Sequence, residues 1–279
     1  MRTLQINLSC WLFFQAIFPA AIVAQDSLEL LLATVPAQFD KKSESVERKL
    51  SVFREKAEKH KTLLFKQLDV VSNNALNAGG AVAATMIAQV QIAKRWVEDG
   101  GELEDCGNVL QWLFIYAECV ARDREGITPA IQLLMRDLNR DGHHDLTLKL
   151  EEAFANLGGI AGARTVIKDN TVFKGFRTSL NGADLIPLRF EFNKVLDDKF
   201  VGKVERDWMY TGHPVHALGG KVHGLKMMAQ TGDTLAFGNN LDGRWNYEAY
   251  VIGKSIVGCY YGATRKGKAG CGYFHVKLR

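Results

Sequence analysis

The apolar residues of this 279-residue chain change their period near Thr171, and that switch constrains the fold more than any single motif does. On the N-terminal side they recur in steps of three and four: Phe39, Val46, Leu50, Phe53, Ala57, Leu64 and Val71. Lys41, Glu44, Arg48, Glu55, Lys56 and Lys61 fill the remaining faces, so residues 39–71 read as a long amphipathic helix with coiled-coil-like spacing. Asn73, Asn74, Asn77, Gly79 and Gly80 break it. A second stripe (Ala83, Met86, Val90, Ala93, Val97) ends at Gly100 and Gly101. Two such helices joined by a short break predict an antiparallel hairpin. His60 falls on the stripe of the first helix and reads as a packing residue. Further helices are expected over Leu103–Ala121, the most apolar of the set, over Pro129–Leu138, and over Leu146–Leu157, which Gly158 and Gly159 end.

Beyond Thr171 the period is two. Ile186, Leu188, Phe190 and Phe192 alternate with polar neighbours, as do Trp245, Tyr247, Ala249 and Val251, and then Phe274, Val276 and Leu278. Each row predicts a strand with one buried face. Turn signals separate the rows at Asn181-Gly182, Asp197-Asp198, Thr231-Gly232-Asp233, Asp242-Gly243, Gly253-Lys254 and Lys266-Gly267. Short strands at this spacing suggest a barrel or sandwich of roughly seven or eight strands. The fold class is therefore α+β: an N-terminal antiparallel helical hairpin or bundle over residues 25–160, then an all-β curved meander over 165–279.

The first 24 residues read as a cleavable export signal. Arg2 is the only charge before Asp26, and an apolar run from Cys10 to Ala24 is interrupted only by Gln15 and Pro19. Cleavage after Ala24 would place the mature protein in the periplasm or outside the cell. The rival reading, a membrane anchor, needs about 20 uninterrupted apolar residues, more than this stretch supplies. No later stretch approaches a membrane span. The net charge of +4 is mild and the basic residues are interspersed with acids, so no nucleic-acid partner is expected. Cys259 and Cys271 flank a turn centred near Arg265 and could pair as a cross-strand disulfide in an oxidising compartment. Cys106 and Cys119 fall on one predicted helix, too far apart along it to bond, and read as buried thiols.

The long charged helix, the break Asn77-Ala78-Gly79-Gly80 and the restart Ala81-Val82-Ala83-Ala84 resemble exported proteins of planctomycete-type bacteria, in which a helical hairpin precedes a small β domain. The closing segments Trp245-Asn246-Tyr247, Val251-Ile252-Gly253, Ile256-Val257-Gly258 and Gly272-Tyr273-Phe274 resemble the terminal hairpins of lipocalin-like or avidin-like meanders. The resemblance implies export and this two-part architecture, and assigns no catalytic residue.

Two local motifs bear on metals. Asp137, Asn139, Asp141 and Asp145 stand at the first, third, fifth and ninth positions of an EF-hand-like calcium loop with Gly142 at the sixth, but Leu148 replaces the carboxylate expected at the twelfth. The plainer reading of the same run is a solvated turn between helices, with Asp145 as a cap. His213, His216 and His223 carry zinc-type ligands without a carboxylate or cysteine at a telling distance. Apart from calcium, no cofactor is indicated. Trp208, Trp245 and Tyr247 are candidates for a ligand-contacting surface on the β domain. These features together suggest an exported, non-catalytic protein that binds a cell-envelope or extracellular ligand through its β domain. The alternatives are an extracytoplasmic hydrolase whose site converges only in three dimensions, and a structural protein that self-associates through the helical hairpin.

Overall fold

A computed structural model describes residues 28–99, 106–155, 157, 166–178, 185–206, 215–223, 226–231, 241–252, 255–264 and 267–279. The export signal expected over residues 1–24 lies outside them. The long helix α1 runs from Asp40 to Ala78 and the second, α2, from Gly80 to Asp99. They pack as the expected antiparallel hairpin, with Leu64 and Leu68 of α1 buried together with Val90, Ala93 and Trp96 of α2. The helix does not end at Asn73: it continues through Asn73, Asn74 and Asn77 to a turn at Gly79 and Gly80, whose φ angles are +67° and +81°. Asparagine inside a helix costs only about 0.5 kcal/mol, and burial of Ala75 on the same turns favours continuation. Only the two glycines enter the left-handed region without strain.

Helix α3 spans Leu110–Glu125, α4 Thr128–Arg140 and α5 His144–Ala155. The start of α3 is later than its apolar pattern predicts. A 3-10 turn at Gly107–Val109 precedes it, pinned by the Gln89 side-chain oxygen, which accepts from the Asn108 backbone N–H at 3.2 Å and from Asn108 Nδ2 at 2.8 Å. Cys106 is therefore buried ahead of the turn while Cys119 lies half-buried within α3. The pair shares no single helix. Pro129 occupies the first turn of α4, where its missing N–H has no intrahelical partner to lose.

The β domain is a closed barrel of eight antiparallel strands in simple meander order. The strands are β1 Thr171–Thr178, β2 Leu185–Leu196, β3 Lys199–Arg206, β4 Val215–His223, β5 Lys226–Thr231, β6 Leu241–Ile252, β7 Ser255–Thr264 and β8 Gly267–Leu278. Closure comes from β1 and β8, where Phe173 pairs with Leu278 and Arg177 with Phe274. The expected alternation sets the interior: Phe173, Phe190, Phe192, Phe200, Tyr247, Tyr260 and Phe274 all point inward into one core. Asp242-Gly243 is no turn. It lies inside β6, where the register against β7 is irregular between Leu241 and Trp245. Such an irregularity bends a strand, as barrel closure demands.

Cys259 faces Tyr273 across the β7–β8 ladder, not Cys271. Thr264 pairs with Gly267, so the hairpin is not centred on Arg265 and its register already misses the cysteine pair by one residue; the irregularity between Tyr260 and Gly262 adds a second. No disulfide forms among the described residues, and the side chain of Cys271 is not among them.

The two halves meet through α3. Strands β6, β7 and β8 contact it, and on β7 every residue from Ser255 to Tyr260 is buried, so the period-two pattern disappears there. Val257 joins the helical core containing Leu64, Leu68, Leu110 and Leu113. Tyr250 joins the core containing Val120, Ile131 and Leu138. Phe114 lies against both Tyr250 and Tyr273, with ring centroids at 5.6 and 6.0 Å. Truncating the fully buried Leu113 to Ala should cost about 2–5 kcal/mol. In urea unfolding of the Leu113→Ala variant, helical and barrel signals should shift together. A shift in only one of them would show that α3 does not couple the two halves.

Candidate binding site at the barrel mouth

The two ends of the barrel are chemically unlike. At one end Val166 and Ile167, just ahead of β1, enter the barrel core as an apolar plug. Asp169 fixes that segment by accepting from the Val195 backbone N–H at 2.6 Å and from Lys194 Nζ at 3.0 Å. These bonds, the backbone donor first, hold its carboxyl below the usual carboxylate range. A surface depression of about 360 Å³ beside the plug is lined by Ile167, Lys168, Asp169, Val195 and Asp197.

The opposite end receives the last inward residues of β1, β3 and β5, the first of β4, and one inward residue of β6. These are Arg177, Arg206, Thr231, His216 and Trp245. Arg177 Nη1 donates to the Tyr260 hydroxyl at 2.8 Å, and the Tyr260 hydroxyl donates to the Thr178 carbonyl. The Arg177 guanidinium lies 5.2 Å from the Tyr260 ring centroid and that of Arg206 lies 5.5 Å from the Trp245 ring, both within cation–π range. The Trp245 and Tyr260 rings are themselves 5.6 Å apart. Thr231 Oγ1 accepts from the Trp245 backbone N–H at 2.9 Å and anchors the start of that row. Gly272 makes the arrangement sterically feasible, since a Cβ there would stand 2.4 Å from the Tyr260 ring.

Arg206 Nη2 lies 2.7 Å from His216 Nε2. A guanidinium only donates, so Nε2 must accept and His216 carries its proton on Nδ1 as a neutral imidazole. Among the described residues, the charge of the mouth therefore resides on the two arginines. Beneath them Tyr247 is buried, and its hydroxyl is pushed up to about 12 because desolvation outweighs the attraction of Arg206 and Arg177.

Of the residues marked by sequence, Trp245 stands at this mouth and Tyr247 is interior, not a surface contact. Trp208 lies outside the described residues, as do His213 and the side chain of His223. His216 turns inward to Arg206. The Asp137 to Asp145 run does not converge. Asp137 is buried at the end of α4 in an ion pair with Lys42, with Arg136 Nε at 3.3 Å and Arg140 Nη1 at 3.9 Å. Asn139 is bonded to His144, Asp141 lies 3.4 Å from Arg140, and Asp145 sits in the first turn of α5. No cluster of three or more potential metal ligands occurs among the described residues. His60 packs at the α1–α3 contact, its Nε2 2.7 Å from an Asp123 oxygen, and Lys56 Nζ is 3.2 Å from the other. Burial is the largest single influence on Asp123 and raises it. The bonds and charges of His60 and Lys56 together outweigh burial and hold the carboxyl low.

One Ser–His pair is present, with Ser255 Oγ 3.2 Å from His275 Nε2. Both are buried on the outward-facing rows of β7 and β8, so the pair is shielded from solvent. Burial first, and then the charge of Lys277, push His275 down to about 3. The mouth arginines were not singled out from sequence. The signal was available in principle, because Arg177 continues the inward row of Phe173 and Gly175, and Arg206 that of Val204.

No family model matches the chain, and no curated protein or solved structure matches it either. No helix among the described residues is long and apolar enough to cross a membrane.

His275 gives a pH signature. The unfolded chain protonates this histidine near pH 6.5, whereas the folded chain resists protonation down to about 3. Its neutral form therefore contributes full stability above about pH 6.5. That contribution is lost as pH falls towards 3, by up to about 1.4 kcal/mol per pH unit. Urea unfolding at pH 7.5 and 5.5 should show the loss, and a His275→Gln variant should flatten it. An unchanged slope in the variant would refute the assignment.

Proposed function

We propose that this is an exported, non-catalytic binding protein that takes its ligand at the polar mouth of the barrel. The observation that supports this reading most is the asymmetry of the barrel ends: an apolar plug at Val166 and Ile167 against a mouth with inward cations beside Trp245 and Tyr260. A barrel built only to be stable would fill both ends with apolar side chains, because inward charge costs desolvation. The helical half serves as the support that covers the outer face of β6–β8. The apolar leader over Cys10–Ala24 is the basis for placing the protein in the cell envelope or beyond it.

Purified protein incubated with cell-envelope fractions and soluble extracellular extracts should be retained saturably by one of them. The Trp245→Ala variant, confirmed as folded by circular dichroism, should lose about tenfold or more in affinity, the usual scale for removing a buried aromatic contact. Retention unaffected by Trp245→Ala would place binding elsewhere. Turnover of ester or glycoside substrates by the wild type would contradict a non-catalytic role.

A further inference from the structure

The long helix α1 carries a second row of regularly spaced residues that the fold leaves uncovered. In its inner row Leu64, Leu68 and Ala75 are buried and Val71 is partly so, packed towards α2 and α3. Roughly a third of a turn around the helix, Leu63, Gln67, Val70, Asn74 and Asn77 repeat in steps of four and three. All five are exposed, Leu63 at 56% and Val70 at 51%. None of the three side-chain amides has a hydrogen-bond partner among the described residues. Steps of four and three are the heptad spacing that keeps one face of a helix against another over several turns. Towards the start of α1 the row ends, because the same face there carries Lys59 and Lys56.

Charge is missing from the far part of the hairpin. The 24 consecutive residues from Val70 to Ala93 contain no Asp, Glu, Lys or Arg, whereas such a stretch at the chain's overall 24% would hold about six. Among the described residues, Asp69 and Lys94, 2.6 Å apart, form the last ion pair before the turn. A third layer is missing as well. The apolar cluster that joins α1, α2 and α3 has no member between Val71 and Val90 among the described residues. The buried apolar residues described there are Ala75 and Ala83, both small.

A second copy of the chain is the partner that this face fits. In a two-fold pair the same surface meets itself, so a charge on it would face its own sign. A row without charge is what such pairing requires. A side-chain amide both donates and accepts, so Gln67, Asn74 and Asn77 can bond to their own copies. A lipid bilayer fits less well, since these amides would lose water there and gain no partner. We propose that two copies of the chain associate through the row Leu63, Gln67, Val70, Asn74 and Asn77 of α1, side by side about a two-fold axis. The row is about 21 Å long and one helix wide, well under the roughly 800 Å² per partner of a standard interface. The pair is therefore reversible, with a dissociation constant on the order of micromolar to sub-millimolar. It is independent of where the barrel binds.

Sedimentation of the full chain from about 1 μM to about 1 mM, the range set by that affinity, tests this. The mass should rise with concentration from that of the 31.0 kDa monomer towards twice that value. Val70→Lys puts like charges into the paired face and should weaken association about tenfold or more. Leu76→Lys changes a position of α1 that is 61% exposed but outside the row, and should leave association unchanged. Circular dichroism checks that each variant is folded, and Gln67→Lys serves if Val70→Lys is not. A chain that stays monomeric throughout overturns the proposal. So does a dimer that tolerates Val70→Lys, or one that Leu76→Lys breaks equally. Flotation with phosphatidylcholine–phosphatidylglycerol vesicles forms the second arm. A monomer that binds the vesicles and releases them on Val70→Lys would overturn the second copy in favour of lipid.

Discussion

Burial of both faces of β6–β8 is the constraint on which the rest of the structure depends. An antiparallel strand in a barrel ordinarily buries one row of side chains and shows the other to water. Here the outward row includes Tyr250, Val257 and Cys259, all buried, and α3 is the layer that covers it. That helix is itself held against α1 by the His60–Asp123 and Lys56–Asp123 contacts. Helix α1 is in turn held to α4 by Lys42 and Asp137. The chain is therefore layered, hairpin on α3 on barrel, and the contacts between layers are mainly apolar and aromatic. The ion pairs at the helix contacts set register more than they add stability, since pairs of this partly exposed kind contribute little.

Fixing the barrel from one side has a consequence for the other end of its axis. With the plug of Val166 and Ile167 filling one end and aromatic rings filling the middle, the mouth is where inward-facing residues can be polar at tolerable cost. Arg177, Arg206, His216 and Thr231 gather there because each terminates or begins an inward row. The aromatic residues beside them are part of the packed interior, so the arginines stand on a rigid base. Binding sites gain precision when their side chains are supported in this way.

Much of this was legible in the chain. The change of period at Thr171, the hairpin turn at Gly79 and Gly80, and the inward rows of β2, β6 and β8 follow from the spacing of apolar residues alone, because burial acts on every second or every third to fourth residue. What escaped has physical causes. The end of α1 was misplaced because three asparagines look like a break, although the packing of Ala75 outweighs their weak propensity. The cysteine pair was misjudged because the hairpin closes with Thr264 opposite Gly267 instead of being centred on Arg265, and one residue of register, increased by the irregularity between Tyr260 and Gly262, has no marker that periodicity can detect. The calcium-like run was plausible by spacing, but helix α4 extends through Arg140 and commits Asp137 to Lys42, 95 residues away in sequence. The arginine mouth joins residues of β1 and β3 with Trp245 of β6, and no spacing rule links positions that far apart.

The central claim is that the barrel's helix-covered face makes the two halves one folding unit. Expressing residues 166–279 alone tests it most directly. The account predicts that this fragment is insoluble or lacks a cooperative unfolding transition, and that co-expression with residues 28–157 restores a soluble complex. A fragment that folds alone into the same strand content, with a sharp transition, would contradict it.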